Sequence, residues 1–238
     1  MPWDFWLIFF VLAVFLPWRG RMRLKKLLAI PQVGTTERLS LYASTIAFQW
    51  LAVAVVAGRT WAHGYSPSEL GLVIHARTPI VAGSILGAAT LATLQWFNLR
   101  RLGHLPEKLR AKFQALAERL FPQSSIELLP YFALAVTAGI CEEFLYRGFV
   151  MAALTHSGVP HWTVIPISSI LFGLAHIYQG RGGFVSTLII GALFGMARIA
   201  YDSLAPVMVW HVAIDVVAGV AGPRYLPRRP RPDSIGQI

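Results

Sequence analysis

Charged residues are scarce in this chain. Only 13% of the 238 residues are Asp, Glu, Lys or Arg, whereas 55% are hydrophobic, and the mean hydropathy is +0.57. A soluble domain carries about 25% charged residues. The composition therefore excludes an ordinary water-soluble domain and predicts an all-α, polytopic membrane protein.

Cysteine and acidic residues are also in short supply. The single cysteine, Cys141, rules out an internal disulfide framework and a cysteine-rich zinc site. The 11 acidic residues stand against 21 basic ones, which gives a formal net charge of +10. The basic residues fall in short segments between apolar runs and form no stripe on a soluble face, so we expect no nucleic-acid partner.

Seven apolar runs are long enough to be candidate membrane spans: 3–18, 39–58, 79–99, 131–154, 162–179, 184–201 and 204–221. The first is short, and a basic amphipathic surface helix is its alternative reading. Between the third and fourth runs, 106–120 has the pattern of a charged amphipathic helix on the cytoplasmic membrane surface. This divides the chain into N-terminal helices (1–127), a core (128–222) and a basic, proline-rich tail (223–238).

The distribution of basic residues predicts one orientation. With the N-terminus outside and the C-terminus in the cytoplasm, most of the 21 lysine and arginine residues lie in cytoplasmic segments. Only Arg59 and Arg77 fall outside, while Arg147 and Arg198 lie within spans. Every loop agrees with this orientation, which favours seven spans over six or eight.

Two adjacent carboxylates and a guanidinium interrupt the fourth run. A charge at the bilayer centre costs at least ~2.5–3.5 kcal/mol, so an intramembrane ionisable residue is a functional candidate by default. Glu143 and Arg147 are spaced i, i+4 and can form a charge-assisted pair on one helix face. Glu142 points about 100° away and has no partner in the motif, which makes it a candidate general base. The alternative is that all three charges have only a structural role and link neighbouring helices through polar contacts.

Two later runs carry further polar pairs at the same spacing. Phe172 and His176 lie in the fifth run, and His211 and Asp215 lie in the seventh. With the glutamate pair they predict carboxylates and imidazoles from three helices around one cavity. Each also has a structural alternative: the histidines could bridge helices by hydrogen bonds, and Asp215 could simply orient His211. Gly191-x-x-x-Gly195 in the sixth run indicates close helix packing.

The predicted depths of these residues conflict. At ~1.5 Å per residue, Glu142 lies about 18 Å above Pro130, whereas His176 lies near the inner end of the fifth run. For the two to meet, the fourth span must start later, the fifth must extend beyond Gln179, or the helices must tilt strongly.

The three motifs occur in order in separate apolar runs: Glu142-Glu143-x-x-x-Arg147, Phe172-x-x-x-His176 and His211-x-x-x-Asp215. Together they resemble the CPBP family of intramembrane proteases, which are relatives of the type II CAAX prenyl protease and of bacteriocin-processing and immunity proteins. The resemblance covers about 128–222. It departs from the eukaryotic prenyl protease at Asp215, where that enzyme has asparagine.

The resemblance implies an intramembrane endopeptidase. In it, Glu142 and His176 would position and deprotonate a water molecule, and His211 and Asp215 would stabilise the oxyanion. Supporting roles would fall to Glu143, Arg147 and Phe172. The expected partners are the lipid bilayer and a membrane protein or lipidated peptide as substrate, and the expected location is a prokaryotic plasma membrane.

The possible mechanisms differ in whether they require a metal ion. Glu142, His176 and His211 could supply a three-ligand zinc site. The chain lacks His-Glu-x-x-His, however, so we favour a glutamate mechanism without a cofactor over a zinc-dependent one.

Other classes of function make different demands on the sequence. A proton-coupled transporter would favour an internal repeat, and none is visible. A non-catalytic scaffold or immunity protein would keep the fold without the chemistry. A serine protease is disfavoured because Gly-x-Ser-x-Gly is missing. Cys141 is a poor candidate nucleophile because it lies within an apolar run, where burial disfavours the thiolate.

Overall fold

The computed structural model describes residues 1–227, and this part of the chain contains helices and no strands. We number the helices α1 Trp3–Ala29, α2 Thr35–Ala62, α3 Arg77–Gly103, α4 Glu107–Leu120, α5 Ser125–His156, α6 His161–Ala175, α7 Gly180–Tyr201 and α8 Ala205–Tyr225. Two stretches are π-helical, Val11–Phe15 in α1 and Phe144–Val150 in α5. Most of the predicted tail lies outside the described residues.

Among these helices, six are long and apolar enough to cross a membrane, namely α1, α2, α3, α5, α7 and α8. The prediction of an all-α, polytopic membrane protein is therefore confirmed. The fifth predicted run forms α6, which is apolar but has only 15 residues. At ~1.5 Å per residue it covers about 22 Å, less than the ~30 Å of a bilayer core. The predicted amphipathic helix is α4.

The short length of α6 has a local cause. His176 follows its last residue, and the His176 Nδ1–H donates to the carbonyl oxygen of Phe172 at 2.9 Å. The chain then reverses through the 3₁₀ turn Ile177–Gln179 into Gly180, whose φ of 88° favours glycine. The predicted end at Gln179 was therefore wrong.

The early end of α6 resolves the conflict between the predicted depths of Glu142 and His176 in the membrane. α5 and α6 are antiparallel neighbours joined by a short turn after His156. From Glu142 to His156 and from His161 to His176, each helix covers about 20 Å. The fourth span need not start later, the fifth need not extend beyond Gln179, and no strong tilt is required, because the chain turns back after α6 at the level of Glu142.

The fourth run also begins earlier than its hydropathy indicates. α5 starts at Ser125 and contains Pro130, which the sequence placed before the helix. The buried carboxylate of Glu127 accepts hydrogen bonds from Arg38 Nε at 2.8 Å and from the backbone N–H of Gln123 at 2.7 Å. These bonds stabilise the start of α5 well before the apolar run, although proline removes one donor from the helix.

Helix α8 packs against α3, α5 and α7, and glycines make the closest approaches possible. A Cβ on Gly139 of α5 would lie 2.5 Å from Val212 Cγ2 of α8 and 3.1 Å from the backbone oxygen of Met208. On α7, a Cβ on Gly191 would lie 3.2 Å from Arg147 Nη2. The predicted close packing at Gly191 is therefore observed, and Gly139 has the same role beside the glutamate pair.

The loop between α2 and α3 is tied down at its Ser66–Glu69 turn. The backbone N–H of Ser66 donates to Glu69 Oε2 at 2.8 Å, and that of Glu69 donates to Ser66 Oγ at 3.3 Å. The bond from the Ser66 backbone lowers the pKa of Glu69 below its usual value. This Ser-x-x-Glu pattern is typical of a helix N-terminus, but here it closes a turn. Arg198 Nη1 pairs with Asp202 Oδ1 at 3.0 Å.

Candidate active site

The candidate site begins where α5 changes from α-helical to π-helical geometry. Glu142 and Glu143 are the last two residues of the α-helical part, and Arg147 lies in the π-helical stretch Phe144–Val150. Such stretches occur frequently at functional sites. Arg147 Nη1 donates to Glu143 Oε1 at 2.9 Å, and both side chains are fully buried. The predicted i, i+4 pair is therefore observed.

Glu143 also connects α5 to α8. The same oxygen, Oε1, lies 2.7 Å from Nδ1 of His211. A carboxylate only accepts hydrogen bonds, so His211 Nδ1–H is the donor. This contact fixes the orientation of the imidazole and leaves its Nε2 facing the rest of the site.

Two aromatic rings surround the guanidinium of Arg147. Its Cζ lies 4.2 Å from the ring centroid of Phe172 and 5.5 Å from that of Phe194. Both distances are within the range of cation–π attraction. The Phe172 ring also lies 4.6 Å from the ring of His176 and 6.0 Å from that of His211. Phe172 thus packs among three polar groups of the site.

Glu142 presents its two oxygens to different groups. Oε1 accepts a hydrogen bond of 2.8 Å from Nε2 of Gln49 on α2. Oε2 has no hydrogen-bond partner among the described residues and lies 3.7 Å from His176 Nε2 and 4.0 Å from His211 Nε2. These distances are too long for direct hydrogen bonds.

The hydrogen bonds of His176 determine which of its nitrogens is free. Its Nδ1–H donates to the Phe172 carbonyl oxygen, so in the neutral ring Nε2 is an acceptor. This acceptor faces Glu142 Oε2. Two acceptors therefore face each other at 3.7 Å.

Asp215 stands at the open edge of the site. Its Oδ2 lies 3.7 Å from His211 Nε2, and its side chain is 33% exposed, against 19% for Glu142 and 15% for His176. Its backbone is held by Tyr131, whose hydroxyl donates to the Asp215 carbonyl oxygen at 2.9 Å. Of these groups, Asp215 is the most accessible.

The donors do not fit a zinc ion as they are placed. Zinc holds tetrahedral ligands at about 2.0–2.2 Å, which separates those ligands by about 3.4 Å. Glu142 Oε2 is 3.7 Å from His176 Nε2 and 4.0 Å from His211 Nε2. Within residues 1–227, no group of three or more His, Cys, Asp or Glu side chains is arranged to hold a metal ion.

The structure thus brings all the predicted site residues into one cluster: Glu142, Glu143, Arg147, Phe172, His176, His211 and Asp215. Cys141 is fully buried beside them. The sequence reasoning missed Gln49 and the bond between Glu143 and His211. Gln49 had one available signal, because its amide interrupts the apolar run 39–58.

One family model matches part of the chain. Residues 124–217 match the family model described as type II CAAX prenyl endopeptidase Rce1-like. The match includes every residue of the three motifs, and the resemblance seen in the sequence is confirmed. No curated protein and no solved structure matches the chain.

Proposed function

We propose that this protein, whose residues 124–217 form a domain of the type II CAAX prenyl endopeptidase Rce1-like family, hydrolyses a peptide bond with a water molecule held between Glu142 and His176. The match to this family supports a membrane-embedded protease. One observation carries the proposed mechanism: Glu142 Oε2 and His176 Nε2 are both acceptors, and they face each other at 3.7 Å.

A single water molecule suits this gap. A polar contact longer than about 3.5 Å is a candidate for a bridging water. The water would donate one O–H to Glu142 and the other to His176, which directs its lone pair away from both acceptors. As its oxygen attacks the substrate carbonyl carbon, one proton passes to Glu142, and the same proton later protonates the departing amine. The C–N bond breaks, and the products are a carboxylic acid and an amine.

The opposite side of the site would stabilise the developing oxyanion. His211 Nδ1–H donates to the Glu143 carboxylate, which favours a positively charged ring with Nε2–H as a second donor. The Asp215 carboxyl, whose Oδ2 lies 3.7 Å from His211 Nε2, would donate its O–H to the oxyanion in its neutral acid form. Donors aimed at the developing charge are the largest single contribution in many hydrolytic sites. Glu143, Arg147 and Phe172 hold this arrangement without touching the substrate.

The substrate class follows from the family and the bilayer. The family description names a CAAX prenyl endopeptidase, so a lipidated peptide or a membrane-associated protein is the proposed substrate. The six long apolar helices support an integral membrane location. We further propose that this membrane is a prokaryotic plasma membrane. Because most basic residues fall in segments on one side of the membrane, we propose that the N-terminus is outside and the C-terminus is cytoplasmic.

The mechanism is proposed without a metal, because the chain lacks His-Glu-x-x-His and Glu142 Oε2 lies farther from both imidazole nitrogens than zinc ligands lie from each other. The alternative is a zinc-dependent protease in which Glu142, His176 and His211 move together to bind the ion. A non-catalytic scaffold or a proton-coupled transporter would instead leave these residues without any hydrolytic activity.

The test is a cleavage assay on the purified protein in lipid nanodiscs. The probes are a quenched-fluorescent peptide ending in a farnesylated CAAX sequence and the same peptide without the lipid. We expect wild-type cleavage, and a loss of about 10²–10⁴-fold for Glu142→Gln and for His176→Asn. Glu107→Gln, an exposed isosteric change in α4, is the control and should match the wild type. Full cleavage by Glu142→Gln would eliminate this mechanism, and inactive wild-type protein would favour the non-catalytic alternatives.

A further inference from the structure

We infer that Gln49 is a positioning residue for hydrolysis, supplied by a helix outside the family domain. α2 lies well before residues 124–217, yet Gln49 Nε2 donates to Glu142 Oε1 at 2.8 Å. The inference rests on the proposed function, since it assigns Gln49 a role in orienting the proposed general base.

Chemistry fixes the direction of this hydrogen bond. The ionised carboxylate of Glu142 can only accept, so the amide nitrogen of Gln49 must face it. The amide oxygen of Gln49 is buried and has no hydrogen-bond partner among the described residues. A buried acceptor without a partner lowers the stability of the fold. Stability alone therefore does not explain a glutamine at this position of α2.

The bond determines which oxygen of Glu142 faces the site. With Oε1 held by Gln49, Oε2 is left to face His176 at 3.7 Å and His211 at 4.0 Å. Without the amide, the carboxylate could rotate about its last bond or turn away from the imidazoles. Misplacement of a catalytic group by about 1 Å can reduce a rate by about 10²-fold.

The next residue on α2 offers a matched control. Trp50 Nε1 donates to Thr137 Oγ1 at 3.3 Å, so it also forms one hydrogen bond between α2 and α5. That bond does not involve the carboxylate. Trp50→Phe therefore weakens the same pair of helices while it leaves Glu142 and Gln49 in contact.

The experiment compares kcat and KM for the farnesylated CAAX peptide in nanodiscs. For Gln49→Leu we expect kcat to fall about 10- to 100-fold with KM changed by less than about twofold, because the general base is misplaced while substrate binding is kept. Trp50→Phe should keep the wild-type kcat. Equal kcat values for Gln49→Leu and Trp50→Phe, or an effect on KM alone, would overturn the inference.

An infrared measurement separates this inference from the proposed function. The difference spectrum between the wild type and Glu142→Gln contains the carboxylate bands of Glu142. We expect these bands to shift in Gln49→Leu and to stay in place in Trp50→Phe, even if no peptide is cleaved. A carboxylate band unaffected by Gln49→Leu would show that the contact does not form.

Discussion

Glu143 and His211 are joined by a hydrogen bond of 2.7 Å between Oε1 and Nδ1. Sixty-eight positions separate them in the chain, and they lie on α5 and α8. The same glutamate oxygen accepts a bond of 2.9 Å from Arg147. One buried carboxylate therefore neutralises the buried guanidinium and orients the imidazole that faces Glu142.

Glu143→Gln should reduce both stability and activity. The amide keeps the size of the side chain but leaves Arg147 buried without a counter-charge, which costs about 3–5 kcal/mol. It also removes the anion that favours a charged His211, so kcat should fall at least about 100-fold. Thermal unfolding in nanodiscs and the peptide assay measure the two effects. Glu107→Gln serves as the isosteric control, and a Glu143→Gln protein with wild-type kcat would contradict the role given to His211.

Asp215→Asn should retain activity within about tenfold, whereas Asp215→Leu should lose about 10²–10³-fold. Asparagine supplies a donor at the same position, as the neutral acid form of Asp215 would, and leucine supplies none. Comparison of kcat for the two variants tests this directly. If asparagine is as damaging as leucine, the carboxylate itself is required and the proposed donor role is wrong.

The same pair of variants predicts a change in pH dependence. Raising the pH removes the proton that makes Asp215 a donor, so wild-type activity should decline on the alkaline side. Asp215→Asn has no such proton to lose and should remain active to higher pH. Profiles of kcat against pH for both proteins measure the difference, and identical alkaline limbs would argue against a neutral Asp215.

Gly139→Ala should displace α8 from the site. The added Cβ would lie 2.5 Å from Val212 Cγ2, one residue after His211, so the helices must shift at a cost of about 1–3 kcal/mol. Gly58→Ala is the matched control on α2, because a Cβ there meets nothing within 4 Å. It should stabilise the protein by about 0.5–1 kcal/mol. Unfolding and cleavage measured on both proteins test this, and equal behaviour would mean that α8 does not need the close approach.

A chelator should leave peptide cleavage intact. Glu142 Oε2 lies 3.7 Å from His176 Nε2 and 4.0 Å from His211 Nε2, which is longer than the separation of zinc ligands, and a water-based mechanism needs no ion. Cleavage with and without 1,10-phenanthroline, together with metal analysis of the purified protein, tests this expectation. Loss of activity that zinc restores, with about one zinc per chain, would establish the zinc-dependent alternative.

The sequence by itself determined the class of the protein and pointed to the polar residues of the three motifs, but not to Gln49. Long apolar runs indicate helices buried in a bilayer. Residues spaced i, i+4 lie on the same face of a helix, so the Glu143–Arg147 pair could be predicted from local geometry. Hydropathy could not locate the end of α6, because a hydrogen bond from His176 to the Phe172 carbonyl and the turn at Gly180 end it.

Only the tertiary structure decided which helix faces meet. Gln49 and Glu142 are 93 positions apart, and helix periodicity says nothing about a partner on another helix. That pairing depends on how α2 lies along α5, just as the contact of Glu143 with His211 depends on the close approach that Gly139 allows. The physical reason is that periodicity describes each helix alone, whereas the distances between polar groups arise from packing among all of them.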